Sequence, residues 1–314
     1  MGKKVVFGVD LGGTTVKLGL FETDGKLLDK WEIPTRKEDN GSKILPDIAA
    51  AIKNKMSEKG IEKNDVAGVG IGVPGPVDDK GIIYKAANLG WGKFSVNEEL
   101  AVLLGGIPVK AGNDANVAAL GEMWKGGGEG YTNLVAVTLG TGVGGGIIVN
   151  GRILTGATGA GGEIGHIHLE DNETDSCGCG NKGCLEQYAS ATGIARLARK
   201  KLKDTDKASS MRSHKEISAK TVWDAVKSGD ELAIEVAHEF GEYLGKGLAA
   251  IACVVNPEIF VIGGGVSKAG EVILKYIEEP YKKYVFHASR DTKFALASLG
   301  NDAGIYGSAR MVLD

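Results

Sequence analysis

One pattern occurs twice in this 314-residue chain and limits what it can fold into. Lys4 to Asp10 reads as a buried strand, Gly12-Gly13 as a tight turn, and Thr14 to Phe21 as a second strand. Asp24-Gly25 is a hairpin signal leading into a third strand, Lys26 to Ile33. The same succession returns at Leu134 to Leu139, Gly140-Thr141-Gly142, Val143 to Val149 and Asn150-Gly151. Asp10-Leu11-Gly12-Gly13-Thr14 corresponds to Thr138-Leu139-Gly140-Thr141-Gly142, and Asp24-Gly25-Lys26-Leu27-Leu28 to Asn150-Gly151-Arg152-Ile153-Leu154, at nearly constant separation. A supersecondary unit that repeats over this distance argues for two α/β lobes of related fold. Chain length agrees, since single cores stop growing at about 250–300 residues.

Between and after the repeats the periodicity turns helical. Ser42 to Lys59 places Ile44, Leu45, Ile48, Ile52 and Met56 on one face. Val66 to Val73 is a strand that ends at Pro74-Gly75-Pro76, Asn97 to Leu104 a helix, and Ile107 to Ala111 a strand. Asn113-Asp114 then opens a helix to about Lys125. Further helices are expected at Ser190 to Leu202, Thr221 to Lys227, Glu231 to Val255 and Ala269 to Tyr284, with strands at Glu258 to Ile262 and Phe294 to Ser298. A last helix, Ala303 to Leu313, is expected to return to the first lobe. Thr205 to Lys215 reads as an exposed, mobile polar loop, and Cys253, inside an apolar run, as a core residue.

Three of the strands end in glycine turns: Gly12-Gly13-Thr14, Gly140-Thr141-Gly142 and Gly263-Gly264-Gly265. Such turns present backbone N–H groups to an anion with no Cβ in the way. Two can grip phosphates and the third can let an adenine lie flat. None carries the Gly-Lys-Ser/Thr of a Walker loop, and the first leads into a hairpin where a dinucleotide fingerprint needs a helix. Asp10, at the end of the first strand, is placed to hold Mg²⁺ or its waters near phosphates, or to brace the turn that follows. Asp114 reads as a helix cap shared with Asn113, or as the base that takes a proton from an attacking hydroxyl in phosphoryl transfer.

His166, Cys177, Cys179 and Cys184 lie close together among Gly, Asn, Asp and Lys, where unpartnered burial is hard to justify. One His and three Cys make a common tetrahedral zinc set. An accidental cluster is the alternative, and a cytosolic setting disfavours a disulfide. Glu163 and Glu186 bracket the group. Carboxylates with a metal-oriented imidazole suit the hydroxyls of a sugar, so the zinc reads as an organiser of that pocket and not as a catalyst.

Composition narrows the rest. Hydrophobic residues make up 43% and charged residues 25%, with a net charge of -3, which gives no reason to expect a nucleic-acid or membrane partner. Met1-Gly2-Lys3-Lys4 runs straight into a strand without a signal peptide, and no apolar run is long enough to span a bilayer, so a cytoplasmic protein is expected. The 49 glycines are clustered, as close backbone approach to a ligand requires.

Asp10-Leu11-Gly12-Gly13-Thr14, Gly72-Val73-Pro74-Gly75-Pro76, Asn113-Asp114-Ala115-Asn116 and Leu139 to Gly146, with Gly162-Glu163-Ile164-Gly165-His166 and Cys177 to Glu186, together resemble the bacterial sugar kinases of the ROK group (repressor, open reading frame, kinase), and among them the glucokinases. The resemblance covers essentially the whole chain. It implies a two-lobed, actin-like ATPase (ribonuclease H-like) sugar kinase fold of α/β class with an interlobe cleft. The lobes would be 1–112 with 301–314, and 113–300 with the zinc loop and most helices.

The implied activity is ATP-dependent phosphorylation of glucose at O6, with Mg²⁺ and a structural zinc. Asp114 would be the general base. Gly75, Asn113, Glu163, His166 and Glu186 would join it in holding the sugar. Gly12, Gly13, Thr14, Gly140, Thr141 and Gly142 would face the phosphates and Gly263, Gly264 and Gly265 the adenosine. The resemblance also implies a homodimer. Other expectations are a sister kinase for N-acetylmannosamine, mannose, fructose or allose, a polyphosphate-using kinase, and a sugar-sensing regulator. The polyphosphate reading would want a basic groove beside the phosphate turns, and no obvious Lys/Arg cluster stands there. The regulator reading is weaker, because the family's repressors carry a helix-turn-helix ahead of the first glycine turn, and the nine residues before Asp10 read as a strand.

Overall fold

The computed structural model describes residues 4–313. Met1, Gly2 and Lys3, on which the reading of no signal peptide rests, and Asp314, the end of the expected first lobe, lie outside the described residues. From the N-terminus the chain forms β1 (Val5–Leu11), β2 (Thr15–Glu22), β3 (Leu27–Pro34), a single turn α1 (Glu38–Gly41), α2 (Ile44–Lys59) and β4 (Val66–Val73). A short hairpin of β5 (Ile82–Ile83) and β6 (Phe94–Ser95) follows, then α3 (Val96–Leu103), β7 (Val109–Asn113) and α4 (Asp114–Lys125). The five longer strands form one sheet in the order β3-β2-β1-β4-β7. β1, β2 and β3 are antiparallel neighbours, whereas β1, β4 and β7 run parallel.

The second repeat gives β8 (Leu134–Leu139), β9 (Val143–Val149) and β10 (Arg152–Ile153). Then come α5 (Glu186–Ala189), α6 (Ala191–Asp204), α7 (Ala219–Lys227), the long α8 (Glu231–Val255), β11 (Ile259–Gly263), α9 (Val272–Tyr284), β12 (Lys293–Leu296) and α10 (Ala303–Met311). Their sheet has the order β10-β9-β8-β11-β12, with β8, β11 and β12 parallel. The two sheets therefore share one plan, a hairpin ribbon on one side and parallel strands on the other, as the repeat predicts. Asn150 (φ 51) and Gly151 (φ 76) make the turn that the primed hairpin type requires.

Two compact units result. The first takes the chain up to Thr132, Gly146–Gly162 and everything from Leu299; the second takes Asn133–Gly145 and Glu163–Ser298. The change of lobe near residue 112 is what the family resemblance implies. Compactness is a different criterion, and by it α4 belongs with the first unit because it packs along α10.

In the first unit, alternation along β1 sorts its side chains between two cores. Phe7 and Val9 join Ile44, Leu45, Ile48 and Ile52 of α2, and Val6 joins Ile305 and Ala309 of α10. α10 returns to this unit as expected and comes into direct backbone contact with β1 and β4 at one glycine of each strand. A Cβ on Gly8 would overlap the Ile305 carbonyl oxygen, and one on Gly70 the Ser308 carbonyl oxygen. Gly121 and Gly307 do the same between α4 and α10. In the second unit, β11 is buried along its whole length, and α8 and α9 pack against each other.

One expectation is corrected and another gains detail. Cys253 is exposed, as is Val254 (83%), because helical periodicity turns Leu248, Ala249, Ile251 and Ala252 inward and carries these two out. Residues 205–215 are mostly exposed, as expected, and are also anchored to their surroundings. Met211 is fully buried, the Asp230 carboxylate accepts from Ser209 Oγ (2.9 Å) and Ser210 Oγ (2.8 Å), and Arg212 donates to the carbonyls of Leu202 and Lys207. The β5–β6 hairpin carries no readable sequence signal. Among the described residues no helix is long and apolar enough to cross a membrane.

Gly307→Val is expected to lower the denaturant unfolding midpoint, at a cost of roughly 1–3 kcal/mol from overpacking. Gly13→Ala, where an added Cβ meets nothing within 4 Å, should leave it unchanged. Equal midpoints for the two variants in guanidinium titration would refute the close-packing account.

Candidate functional site

In the first unit, strand register gathers the predicted residues. Asp10 pairs with Gly72 across β1 and β4, Gly72 with Gly112 across β4 and β7, and Val73 with Asn113. Asp10, the Pro74-Gly75 turn, Asn113 and Asp114 thus stand along the carboxyl edge of three parallel strands, the edge where open α/β sheets bind ligands. Asp10 is half-buried and lies against Gly304 of α10, where a Cβ would come within 2.6 Å of its Cγ. Burial pushes its carboxyl pKa up, Lys17 opposite it on β2 pulls it down, and the charge of Asp114 pushes it up again.

Asn113 is the N-cap of α4. Its Oδ1 accepts from the N–H groups of Ala115 (3.0 Å) and Asn116 (3.2 Å). Its Nδ2 donates to the Gly75 carbonyl (3.2 Å) and to Asp114 Oδ1 (3.1 Å). The cap role that the sequence shares between the two residues therefore falls to Asn113, and Asp114 becomes the first helical residue. Gly75 has φ 114, and a Cβ on it would stand 2.9 Å from the Lys85 carbonyl oxygen. The Gly12-Gly13-Thr14 turn closes through Gly12 N–H to Thr15 O (3.0 Å). Thr35 clamps it, donating its N–H to Thr14 O (2.9 Å) and its hydroxyl to Gly12 O (2.8 Å). Gly13 and Thr14 remain exposed.

In the second unit, Gly263 pairs with Thr138, which brings the other two glycine turns to the same end of β8 and β11. Gly264 (φ 83) packs on the backbone of Leu139, 2.6 Å from where its Cβ would be. Gly140 closes its own turn onto Gly142 O (3.0 Å) and accepts from Ala191 N–H (2.8 Å) at the start of α6. Glu186 lies across this turn. Its Oε2 accepts from Val143 N–H (3.0 Å) and would collide with any side chain on Gly142. Its Oε1 accepts from the Cys177 thiol (3.4 Å). Gly165 rests against the Val143 carbonyl, so the turn carrying Glu163 and His166 flanks the same stretch of β9.

The donor atoms of His166, Cys177, Cys179 and Cys184 all lie within 4.8 Å of one another. Cys177 Sγ is 3.7 Å from His166 Nδ1, and Cys179 Sγ is 3.7 Å from Cys184 Sγ. That is far beyond a disulfide bond of about 2.05 Å. It matches the edge of a tetrahedron of ligands about 2.3 Å from a zinc ion. The donor set therefore fits zinc, with His166 turning Nδ1 to the thiols and Nε2 to Glu163 Oε2 at 3.9 Å. Burial and the neighbouring thiols push the Cys184 thiol up to about 12, and burial raises Cys177 as well, whereas hydrogen bonding by the Asn181 backbone lowers Cys179. Three thiols this close resist ionising together unless a cation joins them.

The ligand loop is anchored by residues that sequence reasoning missed. Glu173 is 8% exposed and accepts from Tyr188 Oη (2.5 Å) and Arg196 Nη2 (2.6 Å). The Arg196 guanidinium holds its carboxyl well down, to about 2. Arg196 also reaches Asp175 (3.3 Å) and stacks over Tyr188, whose ring lies on Tyr243 at 3.8 Å. No local motif marks this network. Lys17 was missed as well, although a hairpin closing at Gly12-Gly13 brings it opposite Asp10.

The chain is 45% identical over 317 residues to the glucokinase of Halalkalibacterium halodurans, covering 99% of this chain and 96% of that one. It is 37% identical to the glucokinase of Thermotoga maritima, covering 99% and 98%. Among solved structures it is similar to a ROK family glucokinase from Streptomyces griseus in complex with glucose and AMPPNP, at TM-score 0.73 and 32% identity over 98% of each chain. Residues 6–314 match the ROK family, the family to which the sequence motifs point, and the chain belongs to it.

Proposed function

We propose that this protein transfers the γ-phosphoryl group of ATP to the 6-hydroxyl of glucose. The observation that carries the reading is the placement of Asp10 and Asp114 on one strand edge beside a glycine turn, in a chain 45% identical to a glucokinase. Asp114 takes the proton from the sugar hydroxyl as phosphorus–oxygen bond formation proceeds. Asn113 holds Asp114 in place through its Nδ2 hydrogen bond and, with the Gly75 backbone, meets the sugar. Glu163, His166 and Glu186 bind further hydroxyls.

Gly12, Gly13, Thr14, Gly140, Thr141 and Gly142 offer backbone N–H groups to the phosphates, and Gly263, Gly264 and Gly265 leave room for the adenosine. Gly13, Gly140 and Gly265 support this assignment. None has a positive φ, and an added Cβ on any of them meets no atom within 4 Å, so neither strain nor crowding in the chain demands glycine there.

Mg²⁺ supplies charge neutralisation at the transferring phosphate, and Asp10 fits it as a ligand through water, since a divalent charge offsets the burial that raises this carboxyl. His166, Cys177, Cys179 and Cys184 would hold a structural zinc, which would fix the loop leading to Glu186. The protein acts as a cytoplasmic homodimer.

A coupled ADP-release assay with Mg·ATP across glucose, mannose, fructose, allose and N-acetylmannosamine tests the reading. Turnover with glucose far above the others is the expected result. A different preferred sugar would replace the substrate, and no turnover with any would turn the assignment toward a sugar-sensing regulator. Asp114→Asn is expected to lower kcat by roughly 10²–10⁴-fold while glucose binding by calorimetry stays near wild type. A kcat close to wild type would remove Asp114 as the base.

Metal analysis of the purified protein is expected to give about one zinc per chain. Cys184→Ser should lose the metal, lower the thermal midpoint and raise the KM for glucose more than that for ATP. Full activity in a demonstrably zinc-free protein would overturn the organising role.

A further inference from the structure

A cavity of about 330 Å³ opens in the first unit beside β7 and the start of α4. Asn113 lines it, but Asp10, Gly75 and Asp114 do not. Most of its polar groups are spent on its own walls. Asp78 accepts from the N–H groups of Lys80 (2.9 Å) and Ile82 (3.0 Å) and from Tyr84 Oη (3.2 Å). Asp79 takes the Thr155 hydroxyl, and Asn97 accepts from Ala111 N–H (2.7 Å) and donates to Lys80 O (3.1 Å).

Two groups are left over. Asn116 is 2% exposed, and its side-chain amide makes no hydrogen bond among the described residues, with Oδ1 fully enclosed and unpartnered. Arg152 lines the cavity from the hairpin, and its guanidinium has no hydrogen-bond or ion-pair partner among the described residues. A buried amide without a partner is unusual enough in a native fold to call for an explanation.

We propose that this cavity is a second, regulatory site for a small polyhydroxylated anion of the sugar phosphate class. A hydroxyl both donates and accepts, so it satisfies the Asn116 amide whichever way round that amide stands. An anionic group pairs with the unengaged Arg152, and Lys110 adds positive charge that balances Asp78 and Asp79. Leu120, Ile153 and Met311 offer apolar surface to the carbon face of a sugar, and the volume is at the small end of ligand pockets, about 300–1,000 Å³.

Occupancy is coupled to the reaction by two hydrogen bonds. Asn116 donates its N–H to Asn113 Oδ1 (3.2 Å), and Asn113 donates to Asp114 Oδ1 (3.1 Å). A ligand on Asn116 therefore bears on the residues that hold the sugar and take its proton. The choice of a sugar phosphate rests on the proposed kinase reading, whose product belongs to that class.

The test is calorimetric titration of the full-length protein with glucose 6-phosphate while glucose and AMPPNP are both saturating, so that the product cannot be read out at the reaction site. Wild type is expected to bind the probe. Arg152→Ala and Asn116→Leu should each weaken it at least tenfold, and Arg152→Ala should leave glucose and AMPPNP binding within twofold of wild type. No binding in wild type, or binding unchanged in Arg152→Ala, overturns the proposal and leaves a water-filled cavity. Arg152 is exposed on a hairpin, so its variant remains decisive if Asn116→Leu does not fold. Absence of heat with glucose and AMPPNP themselves would instead strike the kinase reading.

Discussion

Backbone-to-backbone contact between α10 and the sheet is the constraint on which the first unit depends. Gly8 and Gly70 remove the side chains that would hold a helix at its usual distance, and Gly121 and Gly307 do the same between α4 and α10. Interhelical and helix–sheet spacings are set by the side chains at the contact, so four missing side chains let three elements share one dense layer. The consequence reaches the site. α10 presses Gly304 against Asp10 and buries that carboxyl, while its neighbour α4 carries Asp114 at its first turn. Two carboxylates are thereby fixed on one strand edge, close enough that each charge is felt by the other.

The second unit solves a different problem, which is to hold a carboxylate on loops. Glu186 belongs to a helix of four residues and cannot be positioned by helix packing alone. It is fixed from two sides, by the Val143 N–H and by the Cys177 thiol. The cysteine loop is in turn tied to α6 and α8 by Glu173, Arg196, Tyr188 and Tyr243. Arg196 and Glu173 are worth more here than an exposed pair, because the carboxylate is nearly sealed from water and hydrogen-bonded at both partners.

Most of the scaffold was legible in the sequence because it is encoded by short-range rules. Apolar and β-branched runs, hairpin-turn signals and helix faces located ten of the strands and the longer helices to within a few residues. What escaped depends on contacts distant in sequence. The β5–β6 hairpin is two residues on each side and has no period to read. Met211 and Asp230 order the segment that looked loose from its polar composition, and the apolar run round Cys253 hid the fact that a helix turns some of its residues outward. The candidate residues were found through residue type and spacing. Their mutual placement was not, since the pairing of Asp10 with Gly72 and of Val73 with Asn113 is a property of register.

The shared plan of the two sheets also explains how one repeat came to serve two tasks. By strand register Thr138 stands where Asp10 does, each paired with a glycine of the next strand, and Ser298-Leu299, just beyond β12, stand where Asn113-Asp114 end β7 and open α4. The second repeat keeps the glycine turn and discards both carboxylates. Thr138 uses the position for packing, with its hydroxyl 2.6 Å from where a Cβ on Gly144 would be, so that Gly144 must stay bare. Backbone N–H groups in a turn are common to both copies because they follow from the strand–turn–strand geometry itself. Acid–base chemistry is not, because it needs side chains that the geometry permits but does not impose. The glycine turn is therefore what the repeat supplies twice, and the carboxylate pair what stands in a single copy.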